Sequence, residues 1–277
     1  PKVKANIEAK YGFDKPVIEQ YFNYLKGLVQ GDLGPSFKYK DYTVNELVAQ
    51  AIPVSAKIGV IAFSLAVLFG VTLGTLAALK QNTWIDYSIQ VISTLGMSVP
   101  SFFSAILFAW VFGFVLHRYT GLQMTGSLYE VDDFGNGTYI QWKNLVLPAI
   151  VLGIRPLAVV SQLMRNSLLE VLNQDYITTA KAKGLSQRAV IGRHALKNSL
   201  NPVVTAISGW FASMLAGAVF VEFIFGWNGI GKEIVDALNK SDLPVIMGTV
   251  IVIASLFIVI NIFVDILYGW LDPKIRV

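Results

Sequence analysis

Cysteine is missing from the 277-residue chain, which excludes disulfides, thiolate metal sites and thiol redox chemistry. Histidine occurs only twice, as His117 and His194. Charge is scarce as well: 14% of residues are charged and 54% are hydrophobic, where a soluble domain carries about 25% charged residues. No pair of carboxylates, nucleophile elbow or metal-ligand cluster stands out. The opening residues, which begin at Pro1 and mix seven lysines with six acidic residues up to position 53, do not resemble a signal peptide.

What the chain has instead is long apolar runs. They extend approximately over Val54–Leu79, Ile85–Leu116, Leu145–Met164, Pro202–Phe225 and Pro244–Tyr268. Each is long enough to cross about 30 Å of hydrocarbon at about 1.5 Å per residue. Unpaired backbone groups are not tolerated in lipid, so such runs are expected to be helices. A membrane barrel would show alternating segments of about ten residues. The sequence therefore predicts an all-α polytopic membrane protein.

Charge placement orients it. From Arg165 to Leu200, six lysines and arginines face Glu170 and Asp175. The connection 117–144 has Arg118 and Lys143 against Glu130, Asp132 and Asp133, and 226–243 has Lys232 and Lys240 against Glu233, Asp236 and Asp242. By the positive-inside rule, 165–200 and the C-terminal "DPKIRV" are cytoplasmic, and the other two connections lie outside. The two histidines then fall on opposite sides and cannot share a metal. Residues 1–53 form an outer segment, 54–277 the membrane domain. A further helix upstream of Pro1 is expected, because an outer N-terminal segment needs something to carry it across.

Several features interrupt the spans. Gly70 and Gly74 in "GVTLG", and Ser213 and Gly217 in "SMLAG", put small residues four apart, the spacing that lets helices approach closely in lipid. Pro100, Pro148 and Pro156 remove helical hydrogen bonds and are expected to kink their spans. Arg155, in "LGIRPLAVV", costs about 2.5–3.5 kcal/mol at mid-membrane. It calls for an internal partner, Glu222 or Asp265, or for a polar pathway in which it meets a substrate carboxylate. The substrate pathway is accordingly expected to involve Arg155, Pro100, Glu222 and Asp265.

"GWNGIGKE", residues 226–233, imitates a phosphate-binding loop. That loop requires a strand before it and Ser or Thr after the lysine. Here an apolar span precedes it and Glu233 follows Lys232, so nucleotide binding is rejected.

The most informative stretch is "DYITTAKAKGLSQRAVIGRHALKNSLNPVV", residues 175–204. Gly184 is expected to end one short helix and Ser186 to cap a second, with Asn201–Pro202 opening the next span. A basic helix–glycine–helix hairpin suits either an anionic lipid surface or the groove of a cytoplasmic partner. The small Ala180 and Gly184 favour the groove.

This stretch resembles the coupling-helix signature of ABC importer membrane subunits, in the peptide and nickel permease family. "IEAKYGFDKPVIEQYFNYLKGLVQGDLGPSFKYKDYTVNELV", "LVLPAIVLG", "RNSLLEVLNQDYI", "GWNGIG" and "VDILYGWLDPKIRV" resemble the same family, within it the B-type subunits of bacterial oligopeptide permeases. The resemblance covers essentially the whole chain. It implies the type I importer permease fold, with five transmembrane helices in this chain and a missing sixth at the N-terminus. It implies a bacterial inner-membrane location, a homologous second permease, two cytoplasmic ATPases that bind ATP and magnesium, and an external peptide-binding protein. No catalysis, cofactor or nucleic acid is implied for this chain itself. The coupling loop would be 171–201, with Asp175, Thr179, Ala180, Lys183, Gly184, Leu185, Arg188, Arg193 and His194 meeting the ATPase. Oligopeptides are the expected substrate, and dipeptides, nickel or its metallophore complexes, and glutathione are alternatives. Trp227 and Asn228 replace the usual leucine and proline of the family's GLPGIG, and Arg155 is not part of its pattern. An ion-coupled secondary transporter would be expected to show inverted repeats, and no convincing repeat is present.

Overall fold

The computed structural model describes residues 14–131, 137–217 and 219–271, with the side chains of 208, 209, 211–213, 215–217, 264, 265 and 267–271 outside that description. Ten helices matter for function. They are α1 (Val17–Val29), α2 (Val44–Leu79), α3 (Trp84–Ser98), α4 (Ser101–Phe108), α5 (Lys143–Leu172), α6 (Asp175–Ala182), α7 (Asn201–Gly217), α8 (Val219–Phe225), α9 (Ile230–Lys240) and α10 (Leu243–Leu271). A π-helical segment, Ala109–Val115, continues α4. One small antiparallel hairpin pairs β1 (Tyr129–Val131) with β2 (Thr138–Ile140), with Glu130 opposite Tyr139. By length and apolarity α2, α5 and Leu243–Phe263 of α10 can each cross a membrane, and the bent pair Trp84–Ser98 with Ser101–Val115 makes a fourth candidate. At 17 residues α7 is slightly shorter.

The spine of the molecule is α2 packed on α5. Ala62, Ala66, Gly70, Gly74 and Ala78 recur every fourth residue of α2, and all are buried. A Cβ at Gly74 would stand 2.4 Å from the Ser161 carbonyl oxygen, and one at Gly70 would stand 2.7 Å from the Val160 side chain. From α5, Gly153 reciprocates: its Cβ would lie 3.0 Å from the Ala62 carbonyl. Lipid tails are as apolar as leucine, so helices associate in a bilayer through such close contact rather than through hydrophobic exclusion. The "GVTLG" spacing thus serves packing, as the sequence suggested.

α2 begins at Val44, ten residues before the expected span. Thr43 accepts the Glu46 amide while the Glu46 carboxylate accepts the Thr43 amide, a reciprocal cap that fixes the start. Pro53 lies inside the helix rather than opening it. At 36 residues, or about 54 Å at about 1.5 Å per residue, α2 is longer than the hydrocarbon layer is thick.

The run expected to be one span at 85–116 is broken. Pro100 has no N–H to continue the ladder, Val99 is extended, and α3 meets the next helical segment at 108°. Pro148 and Pro156 are instead accommodated inside the continuous α5.

Asp242 fastens the segment before α2 to the start of α10. Its buried carboxylate accepts the Ser36 hydroxyl at 2.5 Å and the amides of Phe37 and Lys38 at 3.1 Å each. Leu33, Val44, Val48, Ala237 and Val245 form the apolar cluster beneath.

At the opposite end, Asp86 of α3 is fully buried and receives one edge of the Arg165 guanidinium of α5, Nε to Oδ1 at 2.6 Å and Nη2 to Oδ2 at 2.7 Å. The Asn82 amide and Gln90 Nε2 add hydrogen bonds to the same carboxylate. A planar fork meeting a carboxylate in two parallel bonds fixes orientation as well as distance. Removing one partner strands the other charge, so Asp86→Ala is expected to cost about 3–5 kcal/mol. Asp86→Ala/Arg165→Met should cost less than the sum of the two single changes. Thermal unfolding of the four detergent-purified proteins checks this; additive losses would mean that the pair is not coupled.

Candidate functional site

The connection between α5 and α7 folds as a hairpin whose elements are set locally. α6 ends at Ala182, and Gly184 takes φ +79°, the left-handed conformation in which glycine meets no Cβ penalty. The Ser186 hydroxyl then accepts the Ala189 amide at 3.4 Å and starts the second arm. That arm passes from Gln187–Ala189 through a π-helical turn, Val190–Ala195, to Leu196–Ser199 before α7 begins at Asn201.

The inner side of the hairpin is welded to the bundle. Ile177, Ala180, Val190 and Ala195 are buried in one cluster with Met164 and Leu168 of α5 and Ala78 of α2. Ala180 therefore packs inward, which is one reason for its small size. Asp175, Thr179, Lys183, Gly184, Leu185, Arg188 and Arg193 are exposed, and His194 is half-buried. Nothing within 4 Å would meet a Cβ at Gly184. The hairpin presents a basic face with Leu185 around a glycine tip, while Ile177, Ala180, Val190 and Ala195 turn to its own helices.

Arg155 lies twelve residues into α5 and is exposed. The expected pair with Glu222 is not formed. Glu222 is fully buried and its Oε2 accepts the Gly231 amide at 2.7 Å, while Oε1 has no partner among the described residues. The carboxylate is engaged by the start of α9. The Asp265 side chain, the other expected partner, lies outside the described residues. Pro100 forms the 108° bend.

The "GWNGIGKE" loop is built for packing. Gly226 at φ +73° turns the chain out of α8, and Trp227 is completely buried in the cluster that holds Leu128, Leu145 and Phe225. A Cβ at Gly229 would fall 2.4 Å from Glu222 Oε2, and at Gly231 2.2 Å from Val219 Cα. The Ile230 amide donates to Ser55 at 2.8 Å. The amides that a phosphate would need are already occupied by Ser55 and Glu222, while Lys232 bridges Asn228 and Asp236. Burial, aided by the neighbouring Asp236, pushes the Glu233 carboxyl up, the reverse of what a magnesium ligand requires.

These features have relatives. Residues 70–277 match the family model described as the inner membrane component of binding-protein-dependent transport systems. The chain belongs to that family. It is 42% identical over 276 residues to the oligopeptide transport system permease protein OppB of Escherichia coli K12, covering 100% of this chain and 86% of that protein. It is 43% identical over 276 residues to OppB of Salmonella typhimurium, again covering 100% and 86%. It is 39% identical over 274 residues to the dipeptide permease protein DppB of Bacillus subtilis, covering 99% of this chain and 84% of that one. Among solved structures, an inward-facing MetNI methionine ABC transporter matches with TM-score 0.64 and 12% identity over 82% of this chain and 96% of that chain. An amino acid ABC transporter matches with TM-score 0.59 and 13% identity, over 83% and 94%. At such identities the structures establish the importer permease fold.

In this permease the site residue that the sequence did not single out is Asp86. It lies in an otherwise apolar run with a single acid, and its partner is 79 positions away. The signal available was the acid itself at the end of a span. For the loop between α8 and α9 the expected outcome is steric. Gly231→Ala should lower stability by about 1–3 kcal/mol through overpacking, and Gly229→Ala should act in the same direction. Gly192→Ala, where a Cβ meets nothing within 4 Å, should not destabilise. Thermal melts of the three variants in one detergent separate them, and equal melting points would remove the packing account.

Proposed function

We propose that this chain forms half of the inward passage of an ATP-driven importer for oligopeptides. The passage is completed by a homologous permease, powered by two cytoplasmic ATPases that hold ATP and magnesium, and fed by an external peptide-binding protein. The observation that carries the reading is the 175–199 hairpin, exposed at its glycine tip and fused to α2 and α5 behind. The match of the whole chain to permeases named for oligopeptides and dipeptides supports the substrate class. The membrane is the bacterial inner membrane, with the outer segment 1–53 and the 226–243 loop outside and the hairpin and C-terminus inside. Lipid surrounds the remaining helix faces, and neither catalysis nor nucleic-acid binding is assigned to the chain.

The mechanism follows from where the hairpin is attached. Asp175, Thr179, Ala180, Lys183, Gly184, Leu185, Arg188, Arg193 and His194 make up the segment that seats in the ATPase groove. Ala180 sets the arm's depth from behind, and the others offer their exposed faces. When the ATPases close on nucleotide the hairpin moves with them. Because Ile177 and Val190 are packed on Met164 and Leu168, the displacement passes into α5 without a flexible joint. α5 and α2 are locked by their small-residue contact, so they move together. The bend at Pro100 leaves α3 and the segment after it free to reorient relative to one another. Glu222 holds the outer loop, and Arg155 faces the passage.

Gly184→Arg should leave membrane insertion and assembly intact while abolishing peptide uptake by the reconstituted complex. Gly184→Asn, which tolerates the left-handed conformation, should retain it. Normal transport by the arginine variant would refute the docking role of the hairpin. Competition of labelled oligopeptide uptake by peptides of two to six residues would show whether dipeptides are preferred, as the name of the Bacillus relative suggests.

A further inference from the structure

Arg155 does not stand alone on α5. Residues 155, 159, 162 and 166 fall on one face at helical spacing, and they read Arg, Val, Gln and Asn. Toward the outer end the same face is closed: Pro148 and Val151 are buried. From Arg155 inward it opens, for Arg155 and Asn166 are exposed and Gln162 and Val159 half-buried. The adjacent edge of α3 carries Asp86, Gln90 and Thr94 at intervals of four. The two rows meet at Gln162 Nε2, which donates to Thr94 Oγ1 at 3.5 Å, and at the Arg165–Asp86 pair; within the rows Gln90 Nε2 donates to Asp86 Oδ1 at 2.9 Å and Arg165 Nη1 to Asn166 Oδ1 at 3.3 Å. A shallow cavity of about 340 Å³ lies beside this row, lined by Tyr87, Gln90, Val91, Thr94 and Leu95. Beside this row the helices also expose large apolar side chains, such as Leu68 and Phe69 of α2 and Ile92 of α3.

An arginine and several amides on one open face at membrane depth do not belong against hydrocarbon, because each polar group would lose its water partners without replacement. We propose that the groove between α3 and α5, formed by Arg155, Gln162, Asn166, Gln90 and Thr94, is the track along which this subunit guides a peptide. Arg155 at its closed outer end binds the peptide's C-terminal carboxylate, the one group every linear peptide shares. Below it the side-chain amides and the threonine hydroxyl offer donors and acceptors to peptide backbone, whose pattern does not depend on side chains. The groove therefore recognises peptide without selecting sequence. Its floor ends at the buried Asp86–Arg165 pair, which presents no free charge to arrest the leaving carboxylate. This inference rests on the reading of the chain as a peptide permease.

The absence of cysteine makes the test direct. Thr94→Cys, Gln162→Cys and Ile92→Cys are assembled with cysteine-free partner subunits in liposomes and exposed to a membrane-impermeant cationic methanethiosulfonate. Thr94→Cys and Gln162→Cys should be modified, and saturating peptide should slow the reaction; Ile92→Cys, two positions round the helix, should stay unmodified. If the first two react no faster than the third, the groove is covered and the proposal falls. Arg155→Met should raise KM about tenfold or more for peptides with a free C-terminus and leave the KM of C-terminally amidated peptides at its wild-type value. Equal effects on both would overturn the carboxylate assignment. Failure of the peptide reading itself looks different: the wild-type assembly would import no peptide, while the labelling contrast between positions 94 and 92 would persist without peptide protection.

Discussion

The contact between α2 and α5 rests on small residues. Gly70 lies against the Val160 side chain, Gly74 against the Ser161 carbonyl and Met164, and Gly153 against the Ala62 carbonyl and the Ala66 methyl group. In a membrane this closeness is what holds two helices together, since dispersion and backbone proximity replace the hydrophobic drive. Everything functional hangs on it. α5 carries Arg155 above and the hairpin below, and α2 carries Ser55, which steadies the outer loop. Were the spine loose, a push at the hairpin would be spent on sliding one helix past the other.

Rigid and compliant parts are divided accordingly. The hairpin has a packed back and a bare tip; the outer loop is pinned through Glu222, Trp227 and two glycines without room for a Cβ. Compliance is concentrated at Val99–Pro100, where one missing N–H separates α3 from α4. Inward of that bend α3 is tied to α5 through Asp86–Arg165 and Thr94–Gln162.

Much of this was legible in the sequence because the signals are local. Gly184 and Ser186 placed the hairpin's turn and second arm, "GVTLG" marked the spine, and the missing strand and hydroxyl exposed the false phosphate loop. The start of α2 was placed ten residues late because hydropathy registers Val54, whereas the Thr43–Glu46 cap decides where the helix begins. Pro100 was noted as a kink, but a right-angle break depends on what the following segment packs against, which one residue does not encode. The Arg155–Glu222 pair does not form for a related reason: two charges in apolar runs suggest each other, whereas Arg155 is exposed and a backbone amide, invisible in composition, engages Glu222. Asp86 and Arg165 went unpaired in the sequence because contacts across 79 positions leave no periodic trace.

The link between Ser36 and Asp242 has a meaning for biogenesis. Its partners are 206 residues apart in the chain, and closing so long a loop is favourable only once the intervening helices are already in place. The three hydrogen bonds at Asp242 cannot form until the helices between residues 44 and 240 have packed. This carboxylate therefore acts as a clasp on the finished fold: the turn at Ser36–Lys38 waits for a partner made about two hundred residues later.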